Sequence, residues 1–487
     1  MNAGLVRFSR QTLIGGVSTG LFYLRGLFVM PLLTRCFGPG DFGVWVQVFV
    51  GVELLAGLAG LGLNFALLRF VPAHEDRAQS TADLWSVLLL CAVVSLGVMG
   101  VGSLAETWLA ETFLGGPDQV PLIQVALLLI PVSCSLTLVF SYLRATRVAA
   151  TCAWLVACET FGWLLVALGL LISKGDLISM ALGLLVVRCI ILGVAVGHVL
   201  WGGQVRRPSL AVLGPYCRYG LPLLPLGLLN WIINASDRYF LAYFCEPEIV
   251  GIYAVSYGIG SVTGLAYAPV FFVLLPATAT AWSAGKHGEV AEYLRFAQKY
   301  PFLLAVPCVL LLTGYAEEAI ELLSTSSFSA TPLLIGCVAG AIVVMNIGAI
   351  AQTVLNLDCR SGRILGISLG SAAFNIATNA LAIPRYGATG AAITTLMTYT
   401  LWAAATHVLS RSVLPFPWQW RLMLKALLSA APLAVCLLFP SDTIVPRLLL
   451  VAAGCAAYLG LLFAVGTFES REWRLAMAVI RPNKPQG

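Results

Sequence analysis

Long apolar stretches follow one another almost without a break along this chain, and they dictate the solvent it folds in. A helix crossing the hydrocarbon core of a bilayer needs about 20 mostly apolar residues. Backbone polar groups in lipid must be paired within the segment, so each such stretch is expected to be helical. Fourteen stretches meet that ruler, at 12–34, 42–66, 84–105, 121–143, 150–172, 177–201, 219–244, 249–276, 301–323, 331–356, 364–384, 388–410, 422–440 and 446–466. The 487 residues are 59% hydrophobic and only 10% charged, with a mean hydropathy of +0.92, where a soluble domain has about 25% charged residues. A soluble enzyme and a disordered chain are both excluded, and the expected fold class is an all-α polytopic membrane protein. Met1 to Arg10 is too polar and too short for a signal peptide and no small-residue cleavage site follows, so the first span is expected to be retained.

The basic residues orient the spans, because cytoplasmic loops hold most Lys and Arg. With the N-terminus inside, only Arg35, Lys174, Arg385 and Arg447 fall in outer loops, and Arg25, Arg188 and Arg238 fall within spans; the remaining 21 of the 28 lie on the cytoplasmic side. The outer loops hold acids instead, among them Glu106, Glu111, Asp118, Glu246, Glu248, Glu317, Glu318 and Glu321. Both chain ends are therefore expected in the cytoplasm. The net charge of +6 follows from this topology, and no nucleic-acid partner is implied. No loop is long enough for a folded soluble domain. The stretch 202–218 divides six spans from those that follow and is the candidate inter-lobe linker. The stretch 282–300, with Val290, Tyr293, Leu294 and Ala297 at helical spacing, is expected to form a short interfacial helix.

Charged side chains inside spans cost at least ~2.5–3.5 kcal/mol each unless they face a cavity or a partner. Arg25 lies near the centre of span 1, Glu53 of span 2, Glu159 of span 5 and Arg188 of span 6, while Asp237 and Arg238 lie in the outer half of span 7. Pairing of arginines with acids for packing alone competes with a functional role. Polar stripes add direction: Glu53, Gly57, Gly60 and Asn64 repeat along one helix face of span 2, Asn230, Asn234, Asp237 and Arg238 cluster in span 7, and Ser368, Ser371, Asn375 and Asn379 form a third stripe in span 11. Span 10 adds Asn346, Thr353 and Asn356. Interhelical hydrogen bonds explain any one of these, whereas several on different helices are expected to share a hydrated cavity. Tyr253, Tyr257, Gly260, Gly264 and Tyr267 share one face of span 8, where core packing is favoured over sugar stacking.

Catalytic signatures are absent from the sequence. It contains no Walker A loop, and His74, His198, His287 and His407 are scattered with no metal-ligand spacing. There is no Gly-x-Ser-x-Gly and no carboxylate pair in the outer loops. The 13 cysteines stand singly in apolar runs, as at Cys91, Cys134, Cys189, Cys337 and Cys455, and read as small buried hydrophobes. The expected role is that of a conduit, with no catalytic residue, no metal and no cofactor beyond a coupling H+ or Na+ carried by Glu53, Glu159 or Asp237.

A weak internal repeat crosses the chain: Cys36-Phe37-Gly38-Pro39-Gly40-Asp41-Phe42-Gly43-Val44-Trp45 aligns with Phe244-Cys245-Glu246-Pro247-Glu248-Ile249-Val250-Gly251-Ile252-Tyr253 at an offset of 208 residues. Around it lie the turn Arg35 to Gly43, Ala66 to Pro72 (Ala-Leu-Leu-Arg-Phe-Val-Pro), Tyr219 to Leu223 (Tyr-Gly-Leu-Pro-Leu), Asp237 to Leu241, Val250 to Tyr253 and the long segment Asn375 to Ala392. In their order and spacing these segments resemble the Wzx-type polysaccharide transporters, flippases of lipid-linked oligosaccharides within the multidrug/oligosaccharidyl-lipid/polysaccharide (MOP) exporter superfamily. The resemblance implies two six-helix lobes of the multidrug-exporter kind, 1–201 and 219–410, joined by the linker 202–218 and followed by a helix pair and tail at 411–487. It implies alternating access and a central cationic cavity for the diphosphate and sugars of an undecaprenyl-linked glycan, such as an O-antigen or exopolysaccharide repeat unit. By this analogy Arg25 matches a cavity-facing arginine of the lipid II flippases, with Arg188 and Arg238 as further candidates. Asn64, Asn230, Asn234, Asn375 and Asn379 are candidates to bind sugar hydroxyls. The implied setting is the bacterial inner membrane, with lipid as solvent and with glycan polymerase and export proteins as candidate partners. Rival readings are a cation-coupled multidrug exporter or a lipid II flippase on the same fold, and a glycan polymerase, which the short outer loops disfavour.

Overall fold

The structure is a computed structural model that describes residues 26, 28–74, 76–146, 148–201, 207–439, 443–469 and 472. Arg25 lies outside the described residues. The described chain is helical almost throughout: residues 28–36, then α1 (Pro39–Ala59), α2 (Leu63–Phe70), α3 (Arg77–Leu104), α4 (Glu106–Phe113), α5 (Val120–Ala145), α6 (Ala149–Ser173), α7 (Leu177–Trp201), α8 (Leu213–Gly220), α9 (Leu224–Phe244), α10 (Pro247–Ser261), α11 (Ala268–Ser283), α12 (His287–Gly314), α13 (Ala316–Leu323), α14 (Pro332–Leu357), α15 (Ser361–Arg411), α16 (Trp420–Ser429), α17 (Ala431–Leu437) and α18 (Ile444–Ala464). Eleven helices among the described residues are long and apolar enough to cross a membrane. They map onto the expected stretches with instructive departures. Spans 11 and 12 run together as α15, divided only at Gly387, and α9 falls below the apolar threshold because it carries Asn230, Asn234, Asp237 and Arg238.

Local sequence explains where the helices begin and break. Pro39, Pro247 and Pro332 stand at the start of α1, α10 and α14, where a missing N–H costs nothing. Asp176 precedes α7 and accepts hydrogen bonds from the Ser179 hydroxyl (2.6 Å) and Ser179 N–H (2.9 Å), which hold its carboxyl below its usual range. Span 2 is not one helix. Leu61 and Gly62 adopt φ values of 51° and 68°, which breaks it into α1 and α2. The expected interfacial helix at 282–300 is also corrected: 282–283 end α11, and 287–300 form the first turns of the 28-residue α12. Val290, Leu294 and Ala297 are buried there, whereas Tyr293 is exposed, because this apolar face packs against protein.

The helices up to α7 pack largely on one another, as do α9 to α15. The two lobes meet where α1 crosses α10, and again where α2 lies against α8. At the second contact Asp83 of α3 accepts from the Tyr216 hydroxyl (2.7 Å) and lies 2.8 Å from His74 Nε2, while Arg69 stacks 4.7 Å from the Tyr219 ring. Burial and the Asp83 carboxylate push the Tyr216 phenol up, which keeps it a donor. The C-terminal helices α16 to α18 lie on α12, strapped by a buried Lys299–Glu472 ion pair at 2.7 Å and a hydrogen bond from Gln419 Nε2 to the Arg295 carbonyl (2.6 Å).

Gly387 sits at φ 51° and ψ −134°, a conformation in which a side chain is strained. Gly387→Ala is expected to destabilise the fold by about 1–3 kcal/mol, seen as a lower melting temperature in detergent, whereas Gly366→Ala, with open space around it, leaves the melting temperature unchanged or raised.

Candidate functional site

Three helices bring the N-lobe charges together. Glu53 projects from α1, Glu159 from α6 and Arg188 from α7, and between them Ser133 and Thr137 stand one turn apart on α5. Arg188 donates to Glu53 at 2.8 Å and to the Ser133 hydroxyl, and its Nε lies 3.5 Å from Glu159. The guanidinium also lies 5.6 Å from the centre of the Phe49 ring. Its side chain is only 6% exposed and that of Glu159 11%, whereas Glu53 is 46% exposed. A fully buried charge is tolerated only with partners, and Arg188 has two acids. The cluster is nevertheless not sealed: Glu53, Glu159, Arg188, Ser133 and Thr137 line a cavity of about 380 Å³ that Arg144 also borders. Among the described residues no acid pairs with Arg144, whose guanidinium donates to Ser141 Oγ at 3.2 Å.

A second cavity of about 220 Å³ opens beside the first, between α1, α2 and α5 on one lobe and α9 on the other. Glu53, Gly57, Gly60 and Asn64 all line it, together with Trp231 of the C-lobe. The span-2 stripe therefore survives the break in its helix. The turn at Gly60–Gly62 re-aims Asn64 so that it still faces the same space.

The C-lobe cluster is tighter. Asp237 is buried and accepts hydrogen bonds from Tyr253 (2.5 Å) and Thr395 (3.4 Å), and it pairs with its neighbour Arg238 at 3.3 Å. The Arg238 guanidinium lies 4.6 Å from the Tyr257 ring centre, a cation–π contact, and donates to the Asn234 carbonyl at 3.0 Å. Tyr399 donates to the Asn234 side chain at 2.7 Å. Asn230 and Asn234 are exposed. Tyr253 and Tyr257 thus form the wall around a charge pair, a role beyond core packing.

Other expected residues fall elsewhere. Asn375 and Asn379 are fully buried in α15: Asn375 accepts from Ser236 and from Asn379 at 3.0 Å each and donates to Thr398 at 3.1 Å, and Thr394 donates to Asn379. Ser368 and Ser371 are buried on the same stripe. The two asparagines, candidates for sugar hydroxyls in the sequence, are thus engaged in helix–helix hydrogen bonds, because lipid-embedded amides without water must find partners within the bundle. Asn346 likewise bonds back to the Ile342 carbonyl at 2.7 Å. Both described in-span arginines carry acid partners, so the cavity that the resemblance implies to be cationic has, among the described residues, a wall of mixed sign. Sequence reasoning missed Ser133, Thr137, Thr395, Tyr399 and Arg144. The four-residue spacing of Ser133, Thr137 and Ser141 on α5 is the one signal that pointed to that wall.

Two packed helical lobes with buried charge clusters at mid-span and a cavity between them define a membrane transporter fold. Comparison with known proteins bears this out. The lipid II flippase MurJ in an inward closed conformation superposes with a TM-score of 0.75 at 13% identity over 92% of this chain and 98% of that one. An inward-facing multidrug resistance MATE family transporter of the MOP superfamily superposes with a TM-score of 0.63 at 16% identity, covering 84% and 98%. Residues 8–282 match the family of polysaccharide biosynthesis proteins, and the chain belongs to that family. It is 28% identical over 158 residues to the succinoglycan biosynthesis transport protein ExoT of Rhizobium meliloti (strain 1021), a match that spans 32% of this chain and 30% of that protein. The chain is a multi-pass helical membrane protein of the polysaccharide biosynthesis protein family, with a fold similar to those of the MurJ and MATE structures.

Removing Arg188 leaves Glu53 and Glu159 facing each other without a cation. Arg188→Met is expected to destabilise the N-lobe by about 3–5 kcal/mol, measured by thermal unfolding in detergent. Arg188→Met combined with Glu159→Gln recovers most of the loss, and the same stability in the single and double variants would show that the pair does not hold these helices.

Proposed function

We propose that the chain moves an undecaprenyl-diphosphate-linked glycan from the inner to the outer leaflet of the bacterial cytoplasmic membrane by alternating access. The lobes are 1–201 and 219–410, joined by 202–218, and both chain ends face the cytoplasm. The observation that carries this reading is Arg188, buried at mid-span yet on the wall of an open polar cavity, with only part of its guanidinium fork hydrogen-bonded. A diphosphate is the anion a guanidinium binds best, through paired charge-assisted hydrogen bonds. Arg144 at the cavity border attracts the head, and Arg188 receives it when Glu53 and Glu159 give it up. Proton or Na+ uptake by those carboxylates releases the arginine, and the arriving phosphate in turn releases the ion, so ion and lipid compete for one guanidinium. Asn64 on the cavity wall and the exposed Asn230 are the candidates for sugar hydroxyls, with Asn234 joining them by exchanging its bonds to Tyr399 and the Asn230 carbonyl, and Arg238 with Asp237 forms the matching exchange pair of the C-lobe. Arg25 is expected to join this wall. The polyprenyl tail stays in lipid while only the head crosses.

Proteoliposomes carrying a fluorescent polyprenyl-diphosphate oligosaccharide test the reading. Arg188→Gln combined with Glu159→Gln, which avoids an orphaned acid, is expected to slow head translocation by about tenfold or more, the worth of one charge-assisted hydrogen bond. Asn379→Ala is expected to lower stability and leave the choice of glycan unchanged. Full-rate translocation by the folded Arg188 double variant overturns the proposal, and dye movement without lipid movement favours the multidrug-exporter reading.

A further inference from the structure

Pro39 and Gly43 begin α1 as Pro247 and Gly251 begin α10, at the same 208-residue offset as the sequence repeat. Their contact is reciprocal. A methyl group built on Gly43 lies 1.9 Å from the carbonyl oxygen of Pro247, and one built on Gly251 lies 2.0 Å from the carbonyl oxygen of Pro39. The two lobes therefore touch backbone to backbone through equivalent residues, as small residues allow in lipid, and each carbonyl receives a Cα–H contact from the opposite glycine. One turn along α1 on the same face, Gln47 is buried, and among the described residues neither its side-chain oxygen nor its nitrogen has a hydrogen-bond partner. Another turn on, Gly51 meets Tyr239 of the C-lobe: a methyl group there lies 2.6 Å from the Tyr239 hydroxyl. Gln47, Gly51 and Tyr239 wall an apolar pocket of about 100 Å³.

We infer that Gly43 and Gly251 form a two-fold glycine clasp that shuts the transporter at the end assigned to the outer face, and that Gln47 is built into the clasp to keep it from closing too tightly. The closed contact leaves no room for a single added methyl group, so its stability depends on the absence of both side chains. A buried amide with no partner is a standing cost in the closed state, and that cost vanishes when the lobes part and water reaches the stripe. Glycines supply the attraction and glutamine the counterweight, which places the two states near balance, as alternating access requires. The inference rests on the two-lobe transporter reading but not on the identity of the cargo.

The test reads lobe separation directly and needs no substrate. Val255 of α10 is fully buried in the same apolar cluster as Val44 and Val48 of α1. A Val255→Cys reporter in lipid nanodiscs is exposed to a membrane-impermeant maleimide, and modification at that residue is followed by mass spectrometry. Gly43→Ala or Gly251→Ala is expected to raise its labelling rate about tenfold, the scale of a methyl group forced into a packed contact. Gln47→Leu is expected to lower the rate, while Gly40→Ala, which has open space around it in the same turn, leaves it unchanged. Equal rates in Gly43→Ala, Gly251→Ala and Gly40→Ala overturn the clasp. If the alanine variants fail to reach the membrane, Gln47→Leu decides, because a folding defect raises labelling and only a tightened clasp lowers it. Should the glycan lipid prove not to be the cargo, these shifts persist, so the two proposals fail separately.

Discussion

Lipid offers a charged side chain no water, and the architecture of this protein follows from how it meets that constraint. Arg188 crosses from α7 to acids on α1 and α6 and to a serine on α5, so a single guanidinium ties four helices together. In the C-lobe Asp237 gathers Tyr253 and Thr395 from two other helices while Arg238 lies over the Tyr257 ring. Neither cluster resembles the surface ion pairs that contribute little to stability. They are buried, multiply bonded and costly to break. In the N-lobe, Glu53, Glu159 and Arg188 also line a cavity, so the groups that hold its helices together are the ones the proposed anionic head would meet.

This double use explains the mixed sign of the chamber. An unpaired arginine at mid-bilayer is expensive, whereas an arginine shared with acids is stable and, under the proposed function, still open to a phosphate. A cavity wall whose cation is compensated avoids the full desolvation penalty. Arg144, which has no acid partner among the described residues, lies at the border of the cavity, where solvation makes such a charge cheap.

The contacts between lobes follow a different logic. At α1 and α10 the surfaces are bare backbone, matched by internal symmetry. At α2 and α8 they are polar and aromatic, with Asp83, Tyr216, His74 and the Arg69–Tyr219 stack. The first contact is steric and the second is hydrogen-bonded.

Much of this was legible in the sequence alone. Apolar runs of membrane length determine an all-helical, multi-pass chain, because lipid leaves the backbone no other way to pair its polar groups, and the in-span charges announce themselves because their cost demands a reason. The span-2 stripe from Glu53 to Asn64 was readable from its spacing even though a turn interrupts it. What the sequence could not settle was partnership. Asn375 and Asn234 are alike as letters on polar stripes, yet one is buried among Ser236, Asn379 and Thr398 and the other, bonded to Tyr399, stays exposed on α9. Only the packing of helices distant along the chain decides which partner a polar group meets and how much of it stays exposed. The same holds for Gly43 and Gly251: the repeat is visible in the letters, but that the two glycines touch depends on how the lobes are set against each other in three dimensions.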